Sequence, residues 1–375
     1  DHDVTEIGTP HAAGGELAGI SKNSYKFANK KAERFDNDLM DRVKAEIAEK
    51  TKKALAEKPI DTKGKEWKDK VVKTIMARTR VDLREETKAA LREILAENAH
   101  CFHEEGCPAP VLIGQLASVK KRPDAQWKML PSMKWLSKVD KIRLEFILAE
   151  EVRKGNLIKW HPGMDLPLQA SPAFIADRKG HLTGRMVVDF KYYNRQVVNP
   201  VFNIPRQDSI HQDMSVGDAF TFGGADLATG YFQASLDPAE QQYLAIAALD
   251  NLYIPKRLQL GPSWAPSWFQ SRSQTIFPAD LFHVYIDDVV WKDKTEDDII
   301  PNLKRLFKAC LDSGARLSLK KTSIAAASVE VLGHVISLTG RSIAEKKLEL
   351  ITGWEFPKTL EDLHSFICVL TYLRE

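Results

Sequence analysis

Two adjacent carboxylates, Asp287 and Asp288, lie inside the stretch FHVYIDDVVWK, whose other residues are typical of a buried strand. A third, Asp226, follows an apolar run in GGADLATGYFQASL. If these strands are neighbours in one sheet, the three anions lie close together, which raises their pKa values or requires a counter-cation. All-oxygen ligands suit Mg²⁺, and two such ions can activate an attacking hydroxyl and stabilise a departing pyrophosphate. The residues therefore predict a metal site for phosphoryl chemistry.

The elements around these carboxylates have the pattern of an α+β domain. From about residue 170, short β-rich runs punctuated by Gly and Pro alternate with helical stretches. One helix is predicted over 297–313, with Asp297 and Asp298 at its start, where the helix dipole favours acidic residues, and Gly314 at its end. This order favours an antiparallel sheet.

Composition sets limits on the class of protein. The chain has 375 residues, of which 43% are hydrophobic, enough for a large core in two or three domains or subdomains. Its net charge of +3 gives no general argument for nucleic-acid or membrane binding, so any basic surface must be local. Its four cysteines are too few for a disulfide scaffold and are consistent with a reducing compartment. There is no apolar run of about 18 residues, so no membrane contact is expected.

The N-terminal part differs from the rest. Residues 1–21 have no periodicity and are predicted to be a flexible lead, followed by a charged helical extension over 22–114. Its apolar stripe, which begins at Leu39, is interrupted at Pro59 and Gly64. Two interpretations are open: a solvated helical extension, or an arm that binds a partner or nucleic acid.

Three helix starts are predicted from capping boxes. The pairs are Asp82 with Glu85, Ser137 with Asp140, and Thr359 with Asp362. In the last of these helices, over 359–374, apolar residues recur at helical spacing along one face.

The acidic strands belong to an ordered series of motifs that resembles the reverse transcriptases of LTR retrotransposons, especially the gypsy type, and more distantly those of retroviruses. The matching segments are SPAFIADRKGHLTGRMVVDFKYYN, ADLATGYFQASL, LQLGPSWAPSWFQ, VYIDDVV, LSLKKTSIAAASVEVLGHVIS and ITGWEFPKTLEDLHSFICVLTYLRE. The resemblance covers residues 83 to 375. It implies a right-hand polymerase with fingers at 115–225, a palm with an antiparallel sheet at 226–337 and a partial thumb at 338–375.

The same resemblance implies the metal site and the reaction. It assigns metal binding to Asp226, Asp287 and Asp288, with the carbonyl of Leu227 as a further ligand. Two Mg²⁺ ions, with Mn²⁺ as a substitute, would support extension of a primer 3′-OH with dNTPs on an RNA or DNA template.

A nucleotide-binding set also follows from the resemblance. Arg178 or Lys179 corresponds to the family's fingers lysine, and Arg185 to its arginine on the incoming triphosphate; both residue types suit phosphate. Tyr231 corresponds to the aromatic residue under the sugar that excludes a ribose 2′-OH, with a core aromatic residue as the alternative. Gln270, in the template-grip segment, completes the set.

Residues close to the primer end are assigned in the same way. Leu332, Gly333 and His334 correspond to the primer grip, which holds the primer terminus towards the metals. Lys320 and Lys321 are open to two interpretations, a phosphate contact and a solvated turn.

The implied partners are a primer–template duplex and dNTPs. A protein partner is also open, through residues 22–80 or the 359–374 helix. The family implies a location in the cytoplasm, within a virus-like particle, or in the nucleus, and an organelle is open for a domesticated protein.

Departures from the family pattern leave a second function open. Only 14 residues, 271–284, separate Gln270 from Tyr285, which predicts a short or altered palm helix. In the fingers, DRKG puts Asp177 next to the phosphate-binding position. The alternative is a domesticated reverse-transcriptase-like protein that serves as a structural or RNA-binding subunit of a larger ribonucleoprotein or other complex.

Two further motifs are weaker candidates. HCFHEEGC offers four zinc donors but no paired C-x-x-C spacing, so a zinc site is not favoured. LDSGA, with Asp312, resembles the active-site triplet of retroviral aspartic proteases, but it ends an amphipathic helix. Neither motif is expected to be functional.

Overall fold

The computed structural model describes residues 22–56, 61–104, 107–178, 180–202, 204–354 and 356–372, so the predicted flexible lead lies outside the described residues. The helices are α1 Lys22–Ala56, α2 Lys65–Met76, α3 Glu85–Glu97, α4 Lys138–Arg153, α5 Lys191–Asn194, α6 Gln207–Ser215, α7 Pro238–Gln241, α8 Ala265–Ile276, α9 Ile299–Ser313, α10 Glu345–Thr352 and α11 Leu360–Tyr372. The strands are β1 Phe102–His103, β2 Leu157–Lys159, β3 Ala170–Arg178, β4 His181–Val188, β5 Thr221–Asp226, β6 Ala245–Ala248, β7 Asn251–Pro255, β8 His283–Tyr285, β9 Asp288–Asp293, β10 Leu317–Ser318, β11 Ser323–Ala326, β12 Ser328–Val331, β13 His334–Ser337 and β14 Gly340–Ile343.

A central sheet of four antiparallel strands, in the order β11-β5-β9-β8, forms the middle of the protein. Alternate residues of β9 face opposite cores, because side chains alternate along a strand. Val289 packs in the larger core with Phe269 of α8 and Phe307 of α9. Val290 packs on the other side with Ile336 of β13. The predicted antiparallel sheet is confirmed.

An outer sheet, in the order β2-β7-β6-β3-β4, has one parallel pair, β3 with β6. Leu144 and Leu148 of α4 pack against one face of it. The predicted boundary between fingers and palm at residue 226 does not follow the two sheets. Strand β5 lies wholly in the central sheet, and the chain then returns to the outer sheet for β6 and β7 before it forms β8. Sequence order alone does not reveal such a double crossing.

Helix α1 docks on the outer sheet. Val43 is fully buried. Glu46 accepts a hydrogen bond from the backbone N–H of Leu182 at 3.2 Å, and Lys50 donates to the hydroxyl of Thr183 at 2.8 Å. The helix that carries the apolar stripe through Leu39 thus packs on the outer sheet of the same chain, which neither sequence interpretation anticipated.

Helices α2 and α3 belong to the larger core. Trp67, Val71 and Leu91 are buried in the same cluster as Phe307. The extension over 65–97 is therefore an integral part of the fold around the central sheet.

The segment between α2 and α3 runs along the edge strand β11. The Thr79 hydroxyl donates to the Ile324 carbonyl at 3.0 Å, and the Arg80 backbone N–H donates to the Ala325 carbonyl at 3.0 Å. Asp82 forms an ion pair with Arg80, and no side chain caps α3. The predicted Asp82 capping box is therefore wrong, because the carboxylate has a stronger partner in the arginine.

The predicted caps at Ser137 and Thr359 and the predicted helix end at Gly314 are confirmed, whereas Asp297 and Asp298 lie in a short 3₁₀ helix just before α9. The Ser137 hydroxyl accepts from the backbone N–H of Asp140 at 3.0 Å at the start of α4. Thr359 and Asp362 bond each other's backbone N–H groups at 3.1 and 3.0 Å. Helix α9 ends at Gly314, whose φ of 73° suits a residue without Cβ.

The C-terminal helix leaves an apolar stripe exposed. Leu363, Ile367 and Leu370 of α11 are 43%, 51% and 40% exposed, and Leu360 is 84% exposed. The stripe therefore lacks a covering surface among the described residues. Among all the residues that the structure describes, no helix is long and apolar enough to span a lipid bilayer.

Candidate active site

Three carboxylates meet at one end of the central sheet. Asp226 is the last residue of β5 and stands directly opposite Asp288, the first residue of β9. Asp287 precedes it in the β8–β9 turn, and its carbonyl accepts a hydrogen bond from the backbone N–H of Leu227 at 2.8 Å. The structure thus brings together the three acidic residues that the sequence singled out.

A glycine pair lets β5 lie between its neighbours. A Cβ on Gly223 would stand 2.0 Å from the indole ring of Trp291, and one on Gly224 would stand 2.5 Å from Val329. A side chain at Gly223 would displace Trp291 of the paired strand β9, and one at Gly224 would displace Val329 of β12, which belongs to a different sheet. The GGAD sequence therefore fixes where the Asp226 carboxylate emerges.

A strained two-residue turn presents Asp287. Ile286 has a φ of 57°, which a β-branched residue normally avoids. Gln270 of α8 holds this turn: its Oε1 accepts from the Ile286 N–H at 2.6 Å, and its Nε2 donates to the Val284 carbonyl at 2.8 Å. Gln270 is fully buried. The predicted nucleotide contact of Gln270 is therefore wrong, because its amide is committed to the turn.

A second buried amide, which the sequence analysis missed, holds the loop after Asp226. Gln233 Nε2 donates to the carbonyls of Ala228 at 2.6 Å and Arg316 at 2.9 Å, and its Oε1 accepts from the Arg316 N–H at 3.0 Å. The available signal was a glutamine in a largely apolar segment, since a buried polar side chain needs partners.

Burial and mutual repulsion raise the pKa of each carboxyl group. Burial, and then the charges of Asp287 and Asp226, raise the pKa of Asp288 to about 7. Burial and the Asp226 charge also raise the pKa of Asp287. Burial raises the pKa of Asp226, against the opposing effect of a lysine partner. The group is therefore unfavourable as three full anions unless a cation is close.

That lysine is Lys321, whose Nζ lies 2.8 Å from Asp226 Oδ1. Lys321, Asp226, Asp287 and Tyr231 line one cavity of about 310 Å³. The ion pair differs from both earlier interpretations of this lysine, a phosphate contact and a solvated turn.

The donor set suits a divalent cation. The three carboxylates and the Leu227 carbonyl offer only oxygen atoms, as Mg²⁺ prefers. The Leu227 carbonyl accepts one hydrogen bond, from Gly230 N–H at 3.0 Å, and keeps a second lone pair. Within the described ranges, no three acidic, histidine or cysteine side chains already stand close enough to hold an ion.

Tyr231 is half-buried beside the carboxylates. Its ring meets Phe269 edge-on, with centroids 5.1 Å apart, and it lines the cavity as well. Burial and the Asp287 charge raise its pKa to about 12. A packing role and a role at the cavity wall are both compatible with this position.

The predicted phosphate-binding residues lie on the β3–β4 hairpin. Arg178 and Arg185 are exposed, and Arg185 stands opposite Ala176. Arg143 of α4 forms an ion pair with Asp177 at 3.1 Å, so the carboxylate next to the predicted phosphate position already has a cationic partner. Neither Arg178 nor Arg185 lines the carboxylate cavity. Lys179 lies outside the described residues.

The predicted primer-grip residues form the β12–β13 turn. Leu332 and Gly333 have φ values of 50° and 89°, which are typical of a tight hairpin turn. His334 is buried, with its ring centroid 4.6 Å from that of His211. The side chain of His334 therefore supports packing, and a primer contact would have to come from the turn itself.

Asp312, the protease-like residue, has an ordinary environment. It lies on the last turn of α9, is exposed, and pairs with Lys308 at 2.7 Å. This position agrees with the interpretation of the motif as a helix end.

Sequence comparison relates the chain to a known family. Residues 178–336 match the family model for the reverse transcriptase (RNA-dependent DNA polymerase). The chain is 25% identical over 311 residues to the retrovirus-related Pol polyprotein from transposon 412 of Drosophila melanogaster, covering 80% of this chain and 24% of that protein. It is 26% identical over 212 residues to the Pol polyprotein from transposon gypsy of the same organism, covering 54% and 20%. The chain thus spans a quarter or less of these curated relatives.

Solved structures share the fold. A foamy viral protease-reverse transcriptase in complex with an RNA/DNA hybrid has a TM-score of 0.68 at 19% identity, covering 81% of this chain and 40% of that one. The same kind of protein in complex with dsDNA has a TM-score of 0.66 at 19% identity, covering 82% and 62%. The predicted polymerase-type α+β fold is confirmed.

Proposed function

We propose that the chain is an RNA-directed DNA polymerase. The premise is that residues 178–336 are a reverse transcriptase domain of the gypsy retrotransposon type. It extends a primer 3′-OH with dNTPs and releases pyrophosphate. The observation that carries the proposal is the register of the central sheet, which sets Asp226 opposite Asp288 with Asp287 in the adjoining turn.

Reverse transcriptases generally use divalent metal ions, and the oxygen donors here suit them. Asp226, Asp287 and Asp288, with the Leu227 carbonyl, would hold two ions, Mg²⁺ or Mn²⁺. Such ions lower the pKa of an attacking hydroxyl and neutralise charge on the phosphoryl and leaving oxygens. The protein contributes position: Gln270 fixes the turn that carries Asp287.

The proposed substrate contacts come from three places. Tyr231 at the cavity wall limits the space at the sugar. Arg178, Lys179 and Arg185 supply cations for the triphosphate when the β3–β4 hairpin approaches the cavity. The turn at Leu332 supports the primer end. The similar folds in complex with dsDNA and with an RNA/DNA hybrid support a duplex as the partner.

Primer extension on the purified chain tests this function. A DNA primer annealed to an RNA template, and the same primer on a DNA template, are incubated with dNTPs in Mg²⁺, Mn²⁺ or EDTA. We expect extension on the RNA template that requires a divalent ion. Absence of extension on both templates with both metals would overturn the polymerase proposal.

A second candidate is a domesticated subunit with a structural or RNA-binding role. The ion pair between Lys321 and Asp226 favours it, because an internal cation removes the need for a metal. The exposed stripe of α11 also offers a surface for another chain. RNA binding that is unchanged in EDTA, combined with no extension activity, is the result expected for this candidate.

A further inference from the structure

Lys321 faces the whole carboxylate group. Burial alone would lower the pKa of its ammonium group, but the hydrogen bond to Asp226 and the charges of Asp226, Asp287 and Asp288 raise it. The ammonium therefore interacts with all three anions.

The exposure of the two partners indicates that this pair differs from an ordinary surface salt bridge. The side chain of Lys321 is 63% exposed, whereas that of Asp226 is only 12% exposed. Exposed pairs contribute little because water and salt screen them. A carboxylate that is mostly removed from water loses hydration and gains more from a neighbouring cation. The ion pair therefore acts mainly by stabilising the charged form of Asp226.

A tight turn fixes the backbone of Lys321. The carbonyl of Ser318 accepts hydrogen bonds from the N–H groups of Lys321 at 3.2 Å and Thr322 at 3.0 Å. The Thr322 hydroxyl bonds the same carbonyl at 2.7 Å. The Lys321 side chain consequently starts from a defined point beside the carboxylates.

Arg78, at the end of α2, holds the far side of that turn. Its Nη1 donates to the Thr322 carbonyl at 2.9 Å and to the Leu319 carbonyl at 3.3 Å. These two carbonyls flank the dipeptide Lys320–Lys321. A residue of the N-terminal extension thus closes the turn that carries the cation.

We propose that Lys321 is a built-in counter-cation of the metal-free carboxylate site, which must leave Asp226 before a metal ion binds there, and that Arg78 is the positioning residue that holds Lys321 against the site. The metal part of this inference rests on the proposed function, whereas the counter-cation part rests on the ion pair itself. The segment that follows α2 would therefore adjust how readily the site takes up metal.

Metal affinity tests the first part. Mn²⁺ binding to the full chain is followed by electron paramagnetic resonance for the wild type, Lys321→Met and the adjacent control Lys320→Met. Removing a competing unit charge next to Asp226 should tighten Mn²⁺ binding about tenfold in Lys321→Met. Lys320→Met should match the wild type. Equal or weaker binding by Lys321→Met would overturn the competition.

A double-mutant cycle in EDTA tests the counter-cation without any metal. Lys321→Met should lower the thermal midpoint of the chain with Asp226 and should have a much smaller effect in the Asp226→Asn chain, because the charge that the ammonium contacts directly is gone and only the more distant Asp287 and Asp288 remain. Additive effects would overturn the counter-cation role. If the wild type binds no Mn²⁺ at all, the polymerase proposal fails while this cycle still decides the ion pair.

Arg78 is tested through its dependence on Lys321. Arg78→Met should tighten Mn²⁺ binding in the wild-type background and leave it unchanged in the Lys321→Met background. Arg78→Lys, which keeps a donor for one carbonyl, should lie closer to the wild type. If Arg78 has only a structural role, Arg78→Met will lower the thermal midpoint in both backgrounds and leave the Mn²⁺ affinity unaltered. That result would overturn the positioning role. Arg84→Met is the matched control, because the guanidinium of Arg84 pairs with Asp297 and not with the turn that carries Lys321.

Discussion

The Oε1 atom of Gln270 accepts a hydrogen bond of 2.6 Å from the backbone N–H of Ile286, the residue with positive φ beside Asp287. The same side chain also bonds the Val284 carbonyl, so one amide holds both sides of the turn. Sparsely populated backbone conformations of this kind cost about 1–3 kcal/mol and persist only where the surroundings hold them. The fold of α8 is in this way coupled to the position of a catalytic candidate.

Replacing Gln270 by Met, of similar length, should leave the Ile286 N–H and the Val284 carbonyl buried without partners. We expect a loss of about 2–4 kcal/mol in the free energy of unfolding, since each unsatisfied group costs about 1–3 kcal/mol. In primer extension, kcat should fall with little change in the KM for dNTP. A rise in KM alone would indicate a direct nucleotide contact. Gln207→Met, which removes only a bond to the Tyr285 hydroxyl, is the control.

Asp287→Asn should abolish metal-dependent primer extension while the fold stays intact. Removing one anion from a repulsive group should leave the thermal midpoint unchanged or raise it. Asp312→Asn, on the exposed end of α9, should retain full activity. Near-wild-type extension rates for Asp287→Asn would refute the assignment of this carboxylate to metal binding.

Tyr231→Ala should admit rNTPs, because the ring at the cavity wall would be gone. Since Tyr231 also packs against Phe269, a loss of stability of about 1–3 kcal/mol is expected, below the range for a fully buried aromatic residue. The measurements are the ratio of rNTP to dNTP incorporation and the unfolding midpoint. Tyr231→Phe keeps the ring and should keep the sugar preference. Lower stability with an unchanged ratio would leave only the packing role.

The raised pKa of Asp288 predicts how stability depends on pH in EDTA. The folded-state pKa is about 7, and the unfolded value is about 3.9. The folded state therefore binds the proton more tightly, so stability falls as pH rises between these values and levels off above the higher one. The charged groups that bear on this carboxyl are Asp287, Asp226, Glu330 and Lys321.

Asp288→Asn removes this titration. The Asp288→Asn chain should have a higher unfolding midpoint than the wild type. This difference should be small near about pH 4 and should increase to a plateau near about pH 8. A gain that is constant with pH would contradict the raised pKa.

Hydrogen exchange over residues 360–372 should show weak protection in the isolated chain, because the stripe at Leu363, Ile367 and Leu370 is exposed. Protection that appears with a primer–template duplex supports the polymerase, and protection that appears only with another protein supports the domesticated subunit. Strong protection of α11 without either partner would contradict both expectations.

The sequence was sufficient for features that depend on local pattern. The Gly314 helix end and the Ser137 cap each rely on residues within a few positions, and each has the predicted structure. The stretch FHVYIDDVVWK, interpreted as a buried strand, instead forms two strands joined by a turn at Ile286 and Asp287. The meeting of Asp226 with Asp288 required the pairing of distant strands, which came from the resemblance to a known family and not from periodicity.

Other features depend on partners far apart in the chain. Gln270 has the polarity of a ligand-binding residue, and only the position of α8 behind the hairpin shows that its amide is used internally. Asp82 has a capping pattern, yet Arg80 competes for it. Lys321 and Arg78 are separated by more than half of the chain, so no local pattern could connect them.

Strand β11 is the last strand on one side of the central sheet, and the segment around Thr79 and Arg80 donates hydrogen bonds to its outer carbonyls. Open edges of this kind present unpaired N–H and C=O groups that recruit strands from other molecules. We therefore expect the N-terminal extension to keep this edge from pairing with other molecules. A fragment trimmed at residue 83, where the family resemblance begins, would expose Ile324 and Ala325 along a bare edge and should self-associate.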